Sequence, residues 1–113
     1  MKLIFHVPEI SRSIPCMNNV RNYLKQVTRP QEESVQVIFN SDAVTSLVRG
    51  EEGAECWRGL CEQYACIQLS VCSHSLRGYS LSPEQLIDTI GVIPAAVVTL
   101  AELQQHGWIY IRP

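Results

Sequence analysis

Lys2-Leu3-Ile4-Phe5-His6-Val7 runs almost unbroken in apolar residues. A strand with one face in water alternates, whereas a strand covered on both faces does not, so this run reads as an interior strand of a parallel sheet. The segments that follow keep that reading. A loop, Pro8 to Ile14, leads to Pro15, suited to the first position of a helix whose stripe is Ile14, Met17, Val20, Leu24 and Val27. Arg29-Pro30 stops it, because a residue before proline avoids the helical region. Ser34 to Phe39 is a second strand, and Asn40-Ser41-Asp42 offers cap chemistry for a helix from about Ala43 to Val48. A further helix spans about Ala54 to Tyr64.

Ala65 to Ser73 reads as a third strand with Ile67, Leu69 and Val71 on one face and Cys66, Gln68, Ser70 and Cys72 on the other. Its small, polar face points to a second chain or a ligand nearby, or to a partly exposed strand. A long loop, Ser73 to Ser82, precedes Ser82-Pro83-Glu84-Gln85, a cap, a first-turn proline and a capping-box glutamine that open a short helix. Val92-Ile93 is a brief strand. Pro94 starts a last helix through Ala95, Val98, Leu100 and Leu103, ending at His106-Gly107, and Trp108 to Ile111 is the final strand. Strands alternating with helices require crossover connections. The expected fold is an α/β three-layer sandwich with a five-stranded, mainly parallel sheet.

Composition bounds the rest. At 113 residues, 46% hydrophobic and 18% charged, the chain fits one domain spanning 1–113. Its apolar content and net charge of −2 exclude disorder. Nine basic residues, scattered and outnumbered by eleven acidic ones, argue against nucleic acid as a partner. The longest apolar stretch, Gly91 to Ala101, falls short of a membrane span and is broken by Pro94. The opening apolar run is too short for a signal peptide, so a cytoplasmic location is expected. There Cys16, Cys56, Cys61, Cys66 and Cys72 are free thiols by default. They include no Cys-x-x-Cys pair, so no metal is expected. Phosphate-loop and dinucleotide signatures are missing, and no cofactor is expected.

Open parallel sheets place their sites at the carboxyl ends of strands, here His6-Val7-Pro8, Asn40-Ser41-Asp42, Cys72-Ser73-His74 and Ile93-Pro94. Cys72 stands out: it ends its strand beside His74 and Arg77, and a nearby cation or helix N-terminus turns a thiol into a thiolate. The bland alternative is a buried cysteine acting as a small hydrophobe. Cys66, about 20 Å back along the same strand face, is out of disulfide reach. Cys16 lies in the first turn of a helix, where the macrodipole favours a thiolate, while Cys56 and Cys61 keep company with packing residues. His6 is a candidate base or ligand-orienting group, or else a satisfied core histidine. Asn18, Asn19 and Asn22 belong to the first helix, with Asn18 and Asn19 near the same end of the sheet as Cys72.

Several segments together resemble the DsrE/DsrF-like family and its YchN-type members. They are Lys2 to Val7, Asn18-Asn19-Val20-Arg21-Asn22-Tyr23-Leu24, Val37 to Val44, Cys72-Ser73-His74-Ser75-Leu76-Arg77-Gly78, Val92 to Val98 and Gly107 to Pro113. The resemblance implies a compact α/β/α domain assembling as trimers, in some members hexamers. It also implies that the cysteine at the position of Cys72 carries persulfide sulfur between proteins. His74 departs from the pattern, in which a small polar amide follows two residues after that cysteine.

Two functions follow as expectations. One is a sulfur carrier, or persulfide relay, on Cys72, supported by His6, Asn18, Asn40, His74 and Arg77 and served by donor and acceptor proteins. The other is a non-catalytic oligomeric protein binding a small anionic or nucleotide-like ligand at the strand ends. A carrier needs an accessible thiol of lowered pKa; a binding protein needs an enclosed pocket.

Overall fold

A computed structural model describes all 113 residues, Met1–Pro113. Five strands, β1 (Lys2–Val7), β2 (Ser34–Phe39), β3 (Ile67–Cys72), β4 (Ile90–Ile93) and β5 (Ile109–Ile111), form one sheet in the order β4-β3-β2-β1-β5. Every pairing is parallel. Four α-helices connect them: α1 (Ser13–Gln26), α2 (Glu52–Gln63), α3 (Ser73–Gly78) and α4 (Ala96–Gln105).

The strand parities sort the core into two layers. Leu3, Phe5, Val7, Val35, Val37, Phe39, Ile67, Leu69 and Val71 face one side, where Cys16, Met17, Val20 and Leu24 of α1 and Ala54, Trp57 and Leu60 of α2 close over them. On the other side Ile4, Ile38 and Cys72 pack against Ala96 and Leu100 of α4, with Ile93, Leu103 and Trp108 at the margin. Because β4 and β5 lie at opposite edges, the segment carrying α4 crosses the sheet between them, which brings α4 over its middle strands.

Several expectations need correction, among them the start of α4, which is Ala96 rather than Pro94. α1 starts at Ser13, so Pro15 is its third residue; the first turn has no backbone acceptor for that missing N–H, so the proline is still accommodated. Residues Ser41–Leu47 wind as a 3₁₀-helix rather than an α-helix. The cap chemistry there is spent elsewhere, since Asp42 Oδ1 accepts the Ile10 N–H at 2.8 Å and the Asn40 side chain turns to His6. Ser73 to Ser82 is not all loop, because α3 occupies its first six residues. Only Leu76 of α3 is buried, so no apolar period announces it.

The half-polar face of β3 is mostly covered: Ser70 is 3% exposed and Cys72 6%, whereas Gln68 stays open. α4 buries Ala96 and Leu100 with Leu103 behind them, and turns Val97 and Val98 outward, 72% and 52% exposed. Of the expected stripe, Leu100 and Leu103 face inward while Val98 does not, and Ala96 takes its place. Gly107 ends the helix in the left-handed conformation (φ 88°), which a glycine adopts without steric cost.

Candidate functional site

Cys72 is the last residue of β3 and the N-cap of α3, so strand geometry and a helix start meet at one sulfur. Burial pushes its thiol up. Hydrogen bonds from the backbone N–H of Ala96, the N–H and hydroxyl of Ser75 and the N–H of His74 more than offset this, and hold the thiol below its ordinary value. Ala96 is the first residue of α4, so Cys72 lies against the starts of two helices. The Ser75 hydroxyl oxygen accepts the Ser41 N–H at 2.8 Å, so its own proton remains to be donated. Ser41 adopts a left-handed φ of 51° in making that bond.

A second group of polar side chains stands beside this one on the same sheet face. Phe39 pairs with Val71 in the parallel register, and the next residues are Asn40, just past the end of β2, and Cys72, the last of β3. His6 Nε2 lies 3.0 Å from Asn40 Oδ1 and His6 Nδ1 lies 2.6 Å from the Tyr110 hydroxyl. An amide oxygen only accepts, so Nε2 carries the proton and Nδ1 accepts from Tyr110. Burial chiefly lowers the His6 pKa, with Arg112 acting the same way against the Asn40 bond, which favours the neutral ring this tautomer needs. His6 and Asn40 thus join the Cys72 end of the sheet, as expected, and Tyr110 joins them unforeseen. Strand parity alone would have placed Tyr110 on the face of His6.

The other candidates fall differently. His74 and Arg77 are exposed on α3, where Arg77 donates to His74 Nδ1 at 2.8 Å and to Ser73 Oγ at 2.9 Å. His74 acts on the thiol through its backbone N–H, not its ring. Asn18 is exposed on α1 and accepts from Arg21 at 3.0 Å, one turn along its own helix. Cys16 is fully buried, and burial, opposed only by Arg12, raises its thiol to about 12; the helix start does not make it reactive. Cys61 is raised to about 11, mainly by burial, while Cys56 is solvent-exposed rather than a packing residue.

No cavity is lined by Cys72. The two larger grooves lie elsewhere, one of about 520 Å³ around Pro30, Glu33, Tyr64 and Cys66, the other of about 590 Å³ between the starts of α1 and α2. The strand-end pocket expected at Cys72 is not enclosed by a single chain. No helix is long and apolar enough to cross a membrane.

The model of the DsrE/DsrF-like family matches residues 10–113, and the chain belongs to that family. Its fold is similar to that of the protein of unknown function MTH1491 from Methanobacterium thermoautotrophicum, with a TM-score of 0.86 and 26% identity over 98% of this chain and 97% of that one. It is also similar to the ychN protein from E. coli, with a TM-score of 0.73 and 20% identity over 98% of this chain and all of the other. No curated protein matches the chain.

Proposed function

We propose that the protein carries sulfane sulfur on Cys72. The observation that supports this reading best is the place of Cys72 at the carboxyl end of β3 and at the N-cap of α3, packed against Ala96 at the start of α4, with its thiol held below the ordinary value. A thiolate held this way attacks the outer sulfur of a donor persulfide, R–S–S–H. A new S–S bond forms on Cys72, the donor bond breaks, and its electron pair leaves with R–S⁻. An acceptor thiolate then attacks the outer sulfur of the Cys72 persulfide and regenerates the Cys72 thiolate. No external oxidant or reductant enters either step. The ligand-binding alternative is less well served, because it needs an enclosed strand-end pocket and none surrounds Cys72 in one chain.

Incubation with a thiosulfate- or polysulfide-derived donor is expected to add one sulfur atom to the protein. Dithiothreitol should remove it, and Cys72→Ser should show no addition. Equal labelling of parent and variant would move the chemistry to another thiol.

The carrier reading includes assembly as a homotrimer, with a hexamer as a doubled form. Family membership supports it, together with the open Gln68 on β3 and the outward Val97 and Val98 of α4. Light scattering at micromolar concentration is expected to give three chains per particle or a multiple of three; a monomer would refute the assembly.

A further inference from the structure

The groove of about 590 Å³ between the starts of α1 and α2 is separate from the Cys72 site. Ile10 and Ile14 line it at 48% and 46% exposure, beside Met17, which is buried. Single exposed apolar side chains are ordinary on a folded surface, whereas a set gathered in one concavity marks a binding surface. The groove is a trough open to solvent, so it suits a segment of chain laid along it better than a small molecule enclosed on all sides.

The charged lining of this trough is entirely acidic. Glu51 and Glu52 stand at the start of α2, and neither has an ion-pair partner in the chain. Glu51 is the N-cap residue yet makes no side-chain cap bond, so its carboxylate is not spent on the helix. Basic residues of the neighbouring segments are engaged elsewhere. Arg12 donates to the Pro113 carbonyl oxygen at 3.1 Å, Arg49 pairs with Asp88 at 2.8 Å, and Arg58 holds Glu55 and Glu62. The two helix starts supply about half a positive charge each, so two full carboxylates leave the trough with a net charge of about −1. A second copy of this chain is a poor match for it. The exposed apolar face of α4 around Val97 and Val98 has no Lys or Arg, and its one charge is Glu102.

We infer that the trough docks an amphipathic segment of another protein, with apolar side chains on Ile10, Ile14 and Met17 and Lys or Arg side chains on Glu51 and Glu52. The turn Ile10–Arg12 and the 3₁₀-helix Ser41–Leu47, which frame the trough, follow the carboxyl ends of β1 and β2. Because the sheet is parallel, Cys72 ends β3 at the same end of the molecule. On the carrier reading the segment belongs to the sulfur donor or acceptor.

Cys56 reports on occupancy, because it is solvent-exposed and lines the trough. The probe is a synthetic amphipathic peptide of leucine and lysine, with its leucine–glutamate counterpart as control. Iodoacetamide labelling of Cys56 is followed by peptide mass. At about ten times its dissociation constant the lysine peptide should slow labelling about tenfold, as occupancy alone requires. The glutamate peptide should leave the rate unchanged. Glu51→Gln with Glu52→Gln keeps the shape of the trough and should weaken binding of the lysine peptide several-fold. Ile14→Ser, at an exposed position, should weaken it too. Protection unchanged in these variants, equal protection by the glutamate peptide, or no protection at all would overturn the assignment. So would a Cys56 that loses reactivity as the protein alone is concentrated, since a second copy would then occupy the trough. Should Cys72 accept no sulfur from any donor, the carrier reading fails instead, and Cys56 protection still decides whether the trough docks a basic segment.

Discussion

Trp57→Ala is expected to destabilise the fold by about 4 kcal/mol, a large share of what a domain of this size holds in reserve. Trp57 is fully buried on α2, packs edge-on against Phe39 of β2 at 5.5 Å between ring centroids, and donates its indole N–H to Ser13 Oγ at 3.0 Å. One side chain therefore ties α2 to the sheet and to the start of α1. Truncation removes the apolar contact, opens a cavity beneath two helices and strands a hydroxyl that is itself only 3% exposed as a residue. Trp57→Phe keeps most of the volume and loses the bond to Ser13, so its cost should be nearer 1–2 kcal/mol. Urea unfolding of the three proteins checks the order. A loss below about 1.5 kcal/mol for the alanine variant would mean that α2 is not anchored this way.

The second large effect concerns the pH at which Cys72 becomes reactive. Alkylation rates rise with the thiolate fraction and level off above the thiol pKa. With its pKa held down by N–H and O–H donors, Cys72 should reach its plateau at lower pH than an ordinary thiol. Ser75→Ala removes the hydroxyl that donates to the sulfur and accepts from Ser41. Its Cys72 profile should shift to higher pH, and near neutral pH the rate should fall several-fold, on the order of what one charge-assisted hydrogen bond contributes. Cys16, buried and raised to about 12, should stay unlabelled in the folded protein throughout. A Cys72 profile coincident with that of an ordinary thiol, unchanged by Ser75→Ala, would contradict the donor arrangement.

Much of this architecture is legible in the residues because each large element carries a periodic signal. The unbroken run at β1 and the stripe of Met17, Val20 and Leu24 leave little choice of element or face. What escaped is local and polar. α3 forms without an apolar period, directly after Cys72 ends β3, with Leu76 its one buried residue. At the start of α4 Ala96 rather than Val98 is drawn inward, against Cys72, while Leu100 and Leu103 face in as read from the sequence. The rule that places chemistry at strand ends singles out Cys72, His6 and Asn40, which the structure puts at one end of the sheet. Side-chain direction could not be read so far ahead. His74 and Arg77 bond to each other instead of the thiol, and Asn18 bonds along α1.

Passage of labelled sulfur through Cys72 tests the carrier proposal most directly. The protein would be loaded from a donor bearing heavy-isotope sulfane sulfur, freed of excess donor and mixed with an acceptor thiol. Peptide masses would then be followed in time. The account predicts that the label appears first as a persulfide on the Cys72 peptide and then, in equal amount, on the acceptor, with the Cys72 thiol regenerated. Label found on the exposed Cys56, or label that stays on Cys72 in the presence of acceptor, would contradict it.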